Sequence, residues 1–373
     1  MLTKTFWGLM AAEGAALSFA FSMPLGPDYS PRVHYALRSL RAQGVDIRLA
    51  YCDAGGSDES RKAANEYADI VTYRRHGPDD GQSAAINEGW RNADGDIFSW
   101  LNGDDYLAPG ALKHVGDIFA ANEDVDIVYG QSYILDGDTM LGGLHPAVDG
   151  DIDVIYRHNL ISQPSCFYRK RALEEVGMLK EDLHFTMDWD LWARFYAAGL
   201  RFHYTPEILS SVLWEKGTKT SGLSRRRMSE IAHLTGTYEG PLTVVKTMIG
   251  FSLHHLFEYS AVGPLLSGMR KRLAGTAAQR ANIWRPTNDD ASAIVPLYHF
   301  LDERSAHLRI SFADETSAVL ELDGLAVELR RERETKLPAA ILPGKATMLT
   351  VRATAEESPC ISTIEFIADG DPA

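Results

Sequence analysis

Apolar and polar positions follow two different rhythms along this chain. Up to about residue 130, short apolar runs are separated by stretches whose apolar residues recur every three or four positions. The runs predict strands at Leu17–Ser22, Asp46–Cys52, Ile70–Tyr73, Ile97–Leu101 and Ile127–Tyr129. The intervening stretches predict helices over Pro31–Gln43, Asp58–Tyr67, Gly81–Ala93 and Pro109–Asn122, with Ser83 or Asp80 as a cap for the third. Strand–helix alternation of this kind predicts a mostly parallel α/β sheet with helices on both faces. Ligands in such sheets sit at the carboxyl ends of the strands, where Asp53, Asp104 and Asp105 fall.

Past residue 150 the pattern is mixed. Helices are expected at Arg171–Val176 and Asp188–Ala198, strands at Arg201–Tyr204 and Ile208–Trp214, and mainly helix over 224–285. From about Ala293 the alternation shortens to strand-like runs separated by turns, which predicts a small antiparallel β domain. The organisation expected is a catalytic domain over 1–235, a helical extension over 236–288 and a β-rich C-terminal domain over 289–373. Two long apolar stretches need a reading of their own. Phe6–Leu25 ends in a buried first strand rather than forming a signal peptide. Met248–Leu266 is interrupted by His254, His255 and Glu258, too polar for a spanning helix, which leaves a core helix or an amphipathic helix at a membrane edge.

Composition adds limits. The 373 residues are 45% hydrophobic and 24% charged, which suits a folded chain of two or three domains. A formal net charge of −14 argues against a nucleic-acid partner, because phosphate binding needs a basic surface. The three cysteines, Cys52, Cys166 and Cys360, show neither zinc spacing nor a disulfide framework, so a reducing, cytoplasmic compartment is expected.

Four polar clusters carry candidate chemistry. Trp100-Leu-Asn-Gly-Asp-Asp105 places adjacent carboxylates after a buried strand, a costly pairing that a shared hard cation relieves, although such a pair also serves as a turn or cap. Asp53-Ala-Gly-Gly-Ser57 offers a tight turn and a carboxylate for a nucleoside, or an ordinary connection capped by Ser57. Asp79-Asp-Gly-Gln-Ser83 opens a helix on which Ser83, Asn87 and Trp90 share a face. In Thr186-Met-Asp-Trp-Asp-Leu-Trp192, Asp188 among aromatics suits a general base, while Asp188 or Asp190 equally suits an N-cap.

Taken in order, these segments resemble family 2 glycosyltransferases of the GT-A fold, over about residues 17–222, and His158–Arg169 resembles the stretch that precedes the base in bacterial members. The resemblance implies an inverting, metal-dependent hexosyltransferase-like enzyme in surface polysaccharide or glycan synthesis. It implies donor contacts from Asp53, Asp80, Gln82, Asn87 and Asp104, a Mn²⁺ or Mg²⁺ ion on Asp105, and Asp188 as catalytic base. Partners implied are a UDP-, GDP- or dTDP-sugar donor and a glycan or lipid-linked acceptor, with peripheral contact at the inner membrane. Gln163, Trp189, Trp192 and Trp214 are the candidate acceptor residues, with structural tryptophans an equal alternative, and Lys216–Thr220 is a basic loop near the phosphates or a plain surface loop. Two departures from the family pattern are the turn Ser22-Met-Pro-Leu-Gly-Pro-Asp28 and the shifted glycine-serine turn after Asp53. The competing readings are a non-catalytic nucleotide-sugar-binding protein on a degenerate fold and a nucleotidyltransferase, which lacks here its basic glycine-rich signature.

Overall fold

A computed structural model gives the fold; it describes residues 17–136, 142–144, 152–214 and 224–259, and seven strands between residues 292 and 368. The elements run β1 (Phe19–Leu25), α1 (Val33–Arg41), β2 (Ile47–Asp53), α2 (Asp58–Glu66), β3 (Val71–His76), α3 (Gln82–Asn92), β4 (Ile97–Trp100), β5 (Tyr106–Leu107), α4 (Ala111–Ala121) and β6 (Ile127–Asp136). Then come β7 (Gly142–Leu144), β8 (Cys166–Arg169), α5 (Lys170–Val176), α6 (Met187–Ala197), β9 (Phe202–Trp214), α7 (Arg225–Tyr238) and α8 (Pro241–Tyr259).

One sheet holds β1 to β9 in the order β3-β2-β1-β4-β8-β6-β9-β5, with β7 on the side of β6. β1 to β4 pair in parallel, β8 runs against both β4 and β6, and β6 pairs in parallel with β9. This is the α/β fold expected. The period of two explains its two layers. Phe19, Phe21 and Met23 of β1 enter one core with α1, α2 and α4, while Ala20 enters the other with α3, α5, α6 and α7. The second core is aromatic: Trp100 stacks on Trp192 at 5.8 Å, and Trp90 meets Trp100 edge-on at 5.6 Å. Gly89 lets α3 lie against β1, since a Cβ there would sit 2.1 Å from Ser22 Oγ.

Pro24 lies inside β1 without cost. The Ser22 carbonyl bonds Leu101 N–H on the β4 side, and the Leu25 carbonyl bonds Ala54 N–H on the β2 side. Alternation therefore turns the nitrogen of Pro24 toward β4, where pairing has ended at Ser22–Trp100.

Several boundaries differ from the sequence reading. The two strands expected at 201–204 and 208–214 are one 13-residue strand, β9, because the bulges opposite Gly130 and Gln131 absorb the interruption at Pro206. The short strands β5, β7 and β8 carry too few residues to show a period. Toward the C-terminus, β10 (Ser292–Tyr298), β11 (Ala306–Phe312), β12 (Ala318–Leu322), β13 (Leu325–Leu329), β14 (Glu334–Lys336), β15 (Ala346–Ala353) and β16 (Ile361–Ala368) form two antiparallel sheets. Their orders are β10-β15-β12-β13 and β14-β11-β16. The first 16 residues, Lys216–Thr220 and the helix expected beyond Tyr259 lie outside the described residues.

Candidate active site

The carboxyl ends of the parallel strands form one edge of the sheet. Pairing sets Leu25 level with Asp53, and Asp53 level with His76. Asp53 is 3% exposed and its oxygens are spoken for locally. They accept the N–H groups of Gly55 and Gly56, both at 2.9 Å, and His76 Nδ1 lies 3.0 Å away. Burial pushes this carboxyl up, but hydrogen bonds from His76, Ser60, Gly56 and Gly55 outweigh it and hold Asp53 below the usual range. The turn itself is closely packed: a Cβ on Gly55 would sit 2.0 Å from the Pro27 carbonyl oxygen. Ser57 caps α2 through the Ser60 N–H at 3.1 Å, so this segment is the strand–helix connection that the sequence also allowed.

The loop entering α3 is held by Arg75, which pattern reading passes over. Its Nε donates to both Glu88 oxygens, at 3.2 and 3.0 Å, and its terminal nitrogens reach Asp79 at 2.9 Å and the Gly77 carbonyl. The run Arg74-Arg75-His76 at a strand end, facing Asp79-Asp80, is the sequence signal that points there. Asp79 also accepts the Gly81 N–H at 3.0 Å. Neither Ser83 nor Asp80 caps α3: Gly81 is the cap residue, Asp80 is exposed, and the Ser83 hydroxyl donates to the Leu183 carbonyl at 3.3 Å.

From Gln82 a chain of side-chain amides crosses the site. Gln82 Nε2 donates to Asn102 Oδ1 at 2.9 Å, and Asn102 Nδ2 donates to Asp105 at 2.9 Å and Gln163 at 3.3 Å. Gln163 Nε2 closes the chain on the Trp100 carbonyl at 2.7 Å. Asp105 is 3% exposed and also accepts the Leu213 N–H at 3.3 Å. Burial, then the neighbouring Asp104 charge, pushes its carboxyl well above the ordinary range. Asp104 stands half-buried at the rim.

Asp188 reaches the same edge from α6. β4 and β8 pair Phe98 with Tyr168, which brings Cys166 level with Trp100, and Ser99 Oγ bonds the Cys166 carbonyl at 2.9 Å. Burial and then the Asp188 charge raise the Cys166 thiol, so Asp188 lies within electrostatic reach of that edge. Asp188 is half-buried and accepts Asn159 Nδ2 at 3.0 Å and the Trp189 N–H at 2.7 Å. Asn159 and Gln163 belong to one short loop, so a single segment touches both the Asp188 side and the Asn102–Asp105 side.

Neither aspartate of this cluster caps α6. Asp190 is buried in ion pairs with Lys180 at 2.8 Å and Arg194 at 2.7 Å, and the cap residue Thr186 makes no side-chain bond. The N–H groups of His184, Phe185 and Thr186 are taken instead by Glu230 of α7, at 3.0, 2.7 and 3.1 Å. No spacing rule links residues 184–186 to 230, so the contact is invisible before folding.

Three expected roles do not fit this geometry. Asn87 is 2% exposed, with Nδ2 on the Leu179 carbonyl and Glu181, both at 2.9 Å, and Oδ1 on the Leu179 N–H at 3.0 Å. It clamps α3 to the 179–181 segment and has nothing left for a donor. Trp189 and Trp192, at 2% and 0% exposed, are core residues with no face open to an acceptor. The side chain of Trp214 lies outside the described residues.

Comparison with known proteins agrees with this frame. The glycosyl transferase family 2 profile matches residues 29–177. An uncharacterized glycosyltransferase of Rickettsia conorii is 29% identical over 198 residues, covering 49% of this chain and 32% of that protein. One from Rickettsia prowazekii is 26% identical over 185 residues, covering 47% and 58%. The chain thus spans between a third and three fifths of the length of these relatives. Among solved structures, TarS 1–349 of S. aureus in complex with UDP-GlcNAc superposes with a TM-score of 0.50 at 14% identity, covering 70% of this chain and 77% of that one. Residues 29–177 are therefore similar to family 2 glycosyltransferases, and the described fold is like that of TarS.

Proposed function

We propose that the protein transfers a sugar from a nucleoside-diphosphate sugar to an acceptor hydroxyl by a single, inverting displacement. The observation that carries this is one connected set of polar groups at the sheet edge: the Gln82–Asn102–Asp105 chain beside Asp104, joined to Asp188 by the loop that holds Gln163 and Asn159. TarS forms a complex with UDP-GlcNAc, which supports a UDP-, GDP- or dTDP-sugar as the donor class proposed for this chain. Asp53 and His76, with the Gly55–Gly56 turn, form the wall for the nucleoside, and Asp80 and Gln82 flank the donor at the start of α3. Asp188 accepts the proton of the attacking hydroxyl, and Asn159 holds its carboxylate in place.

A divalent cation, Mg²⁺ or Mn²⁺, fits this donor set in a specific way. Among the described residues no three His, Cys, Asp or Glu side chains converge. The protein would supply the Asp104–Asp105 pair, and the donor phosphates most of the remaining oxygens. Both oxygens of Asp105 accept hydrogen bonds inside the wall, which favours Asp104 as the residue that would meet the cation, with Asp105 behind it. The ion would offset charge on the leaving diphosphate. A surface glycan or lipid-linked chain as acceptor, and a cytoplasmic site of action, complete the reading; the buried, unpaired Cys52 and Cys166 accord with it.

The test is a thermal-shift screen of UDP, GDP and dTDP, with and without Mn²⁺, on the wild type and Asp104→Ala. A ligand selective for the folded state adds about 2.7 kcal/mol at a hundredfold excess over its dissociation constant. One nucleotide class should stabilise the wild type only with the cation, and Asp104→Ala should lose the shift. No shift with any nucleotide would sink the proposal.

A further inference from the structure

Helix α8 is apolar on two opposite sides, and only one of them is used inside the described structure. Its inner side carries Thr247, buried, with Met248 and Phe251 packed on the aromatic core. Phe251 lies 6.1 Å from Trp189, the neighbour of Asp188. Its outer side carries Leu242, Val245, Ile249 and Leu253, at 78%, 55%, 54% and 47% exposed. Spacings of three, four and four residues put these four on one stripe. The large hydrophobic side chains exposed among the described residues all lie on this stripe. Soluble chains rarely display such a row without covering it.

Charge selects what covers it. Lys246 is exposed and, one turn from both Leu242 and Ile249, borders the stripe. Residues 240–286 contain six basic side chains, Lys246, Arg270, Lys271, Arg272, Arg280 and Arg285, against one acid, Glu258, in a chain whose net charge is −14. A second copy of the stripe would bring another Lys246 and no acidic side chain of α8 before Glu258. A bilayer with anionic headgroups complements the basic segment and accepts the apolar stripe into the acyl boundary. No helix among the described residues is long and apolar enough to cross a membrane, so α8 would lie in the interface plane.

We infer that the outer face of α8 is a docking surface for an anionic lipid bilayer. The inference does not depend on the reaction proposed for the site. It has a geometric consequence for it, because the inner side of the same helix backs onto Trp189: docking holds the Asp188 region close to the lipid surface.

The experiment is vesicle co-sedimentation of the full chain, with phosphatidylcholine vesicles and with vesicles of phosphatidylcholine mixed with phosphatidylglycerol. The wild type should sediment with the mixed vesicles, release as salt rises, and stay in solution with the neutral ones. The triple variant Leu242→Ser, Val245→Ser, Ile249→Ser should bind about tenfold more weakly or worse. Its thermal melt, and the nucleotide-induced shift of the same sample, should match the wild type, because all three side chains are exposed. Lys246→Glu should weaken binding to the mixed vesicles with the stripe intact. Wild type that ignores both vesicles, or a triple variant that sediments like it, overturns the inference. So does light scattering in which the triple substitution turns a dimer into a monomer while the wild type ignores lipid, which would give the face to a second copy.

Discussion

Glu230 in α7 accepts the backbone N–H of Phe185 at 2.7 Å, three residues ahead of Asp188 on a different helix. The same carboxylate takes the N–H groups of His184 and Thr186 and pairs with Arg226 at 3.1 Å. A negative charge at that point also faces the positive end of the α6 dipole. The start of the helix bearing the candidate base is therefore held by a residue more than forty positions further along the chain.

Glu230→Ala leaves three N–H groups at a buried site without their acceptor and should cost about 2–3 kcal/mol in urea unfolding. Glu230→Gln keeps one acceptor oxygen and should cost about half as much. The pH dependence has a definite sign. Burial pushes the Glu230 carboxyl up, but the N–H groups of Phe185, His184 and Thr186, with Arg226, outweigh it and hold it below the ordinary carboxylate range. Its contribution is complete above the ordinary value and is lost as pH falls through the lowered one. The stability gap between wild type and Glu230→Gln should be constant near neutral pH and close on acidification below about pH 4. A gap that widens on acidification would contradict the geometry.

Asp188→Asn should lower sugar transfer by about 10²- to 10⁴-fold while leaving nucleotide binding in place, since a base acts on the acceptor and not on the donor. Asparagine keeps the shape and one acceptor oxygen of this half-buried side chain, so the melting temperature should move little. Kinetics with saturating donor, set beside the nucleotide thermal shift, separate the two effects. Retained turnover would remove Asp188 from the mechanism.

The layered fold was legible because β1 and β2 alternate strictly, with Phe19, Phe21 and Met23 on one side and Ala20 on the other. The acidic clusters at strand ends were legible for the same reason: topology alone puts Asp53 and Asp104 at one edge. What a linear reading misses is which polar groups are consumed by folding. Asn87 has the composition of a ligand contact, yet all its bonds go to residues 179–181. Nor does a linear reading show that the Leu213 N–H, from a strand over a hundred residues away, bonds one oxygen of Asp105. Trp189 and Trp192 read as sugar platforms or structural residues, and the second aromatic core takes their volume. Arg75 and Glu230 escape because their partners lie across elements.

Gly55→Ala should damage the nucleoside wall more than any change of charge there. The added Cβ would meet the Pro27 carbonyl oxygen at 2.0 Å, and both partners are backbone, so the turn itself has to shift. That shift pulls the Gly55 and Gly56 N–H groups off Asp53. Overpacking of this sort costs about 1–3 kcal/mol. Calorimetric titration with the nucleotide that stabilises the wild type should show binding reduced at least about tenfold, as expected when a preorganised turn is lost. Wild-type affinity in Gly55→Ala would show that the turn does not line the donor.

Asp104→Ala and Asp105→Ala should fail in opposite ways, although the residues are adjacent. Asp104 is half-buried at the rim, so its removal should change stability by no more than about 0.5 kcal/mol. It should abolish the part of nucleotide binding that requires the divalent cation. Asp105 is enclosed, and its loss removes the acceptor of the Leu213 N–H and one of the two acceptors of Asn102 Nδ2, a penalty of about 1–3 kcal/mol before any ligand is present. Because Asn102 also bonds Gln82 and Gln163, the amide chain across the site should loosen with it. Unfolding curves without ligand and nucleotide titrations at rising Mn²⁺ tell the two apart. If Asp105→Ala instead keeps wild-type stability and loses the cation requirement, Asp105 is the ligand and Asp104 the neighbour.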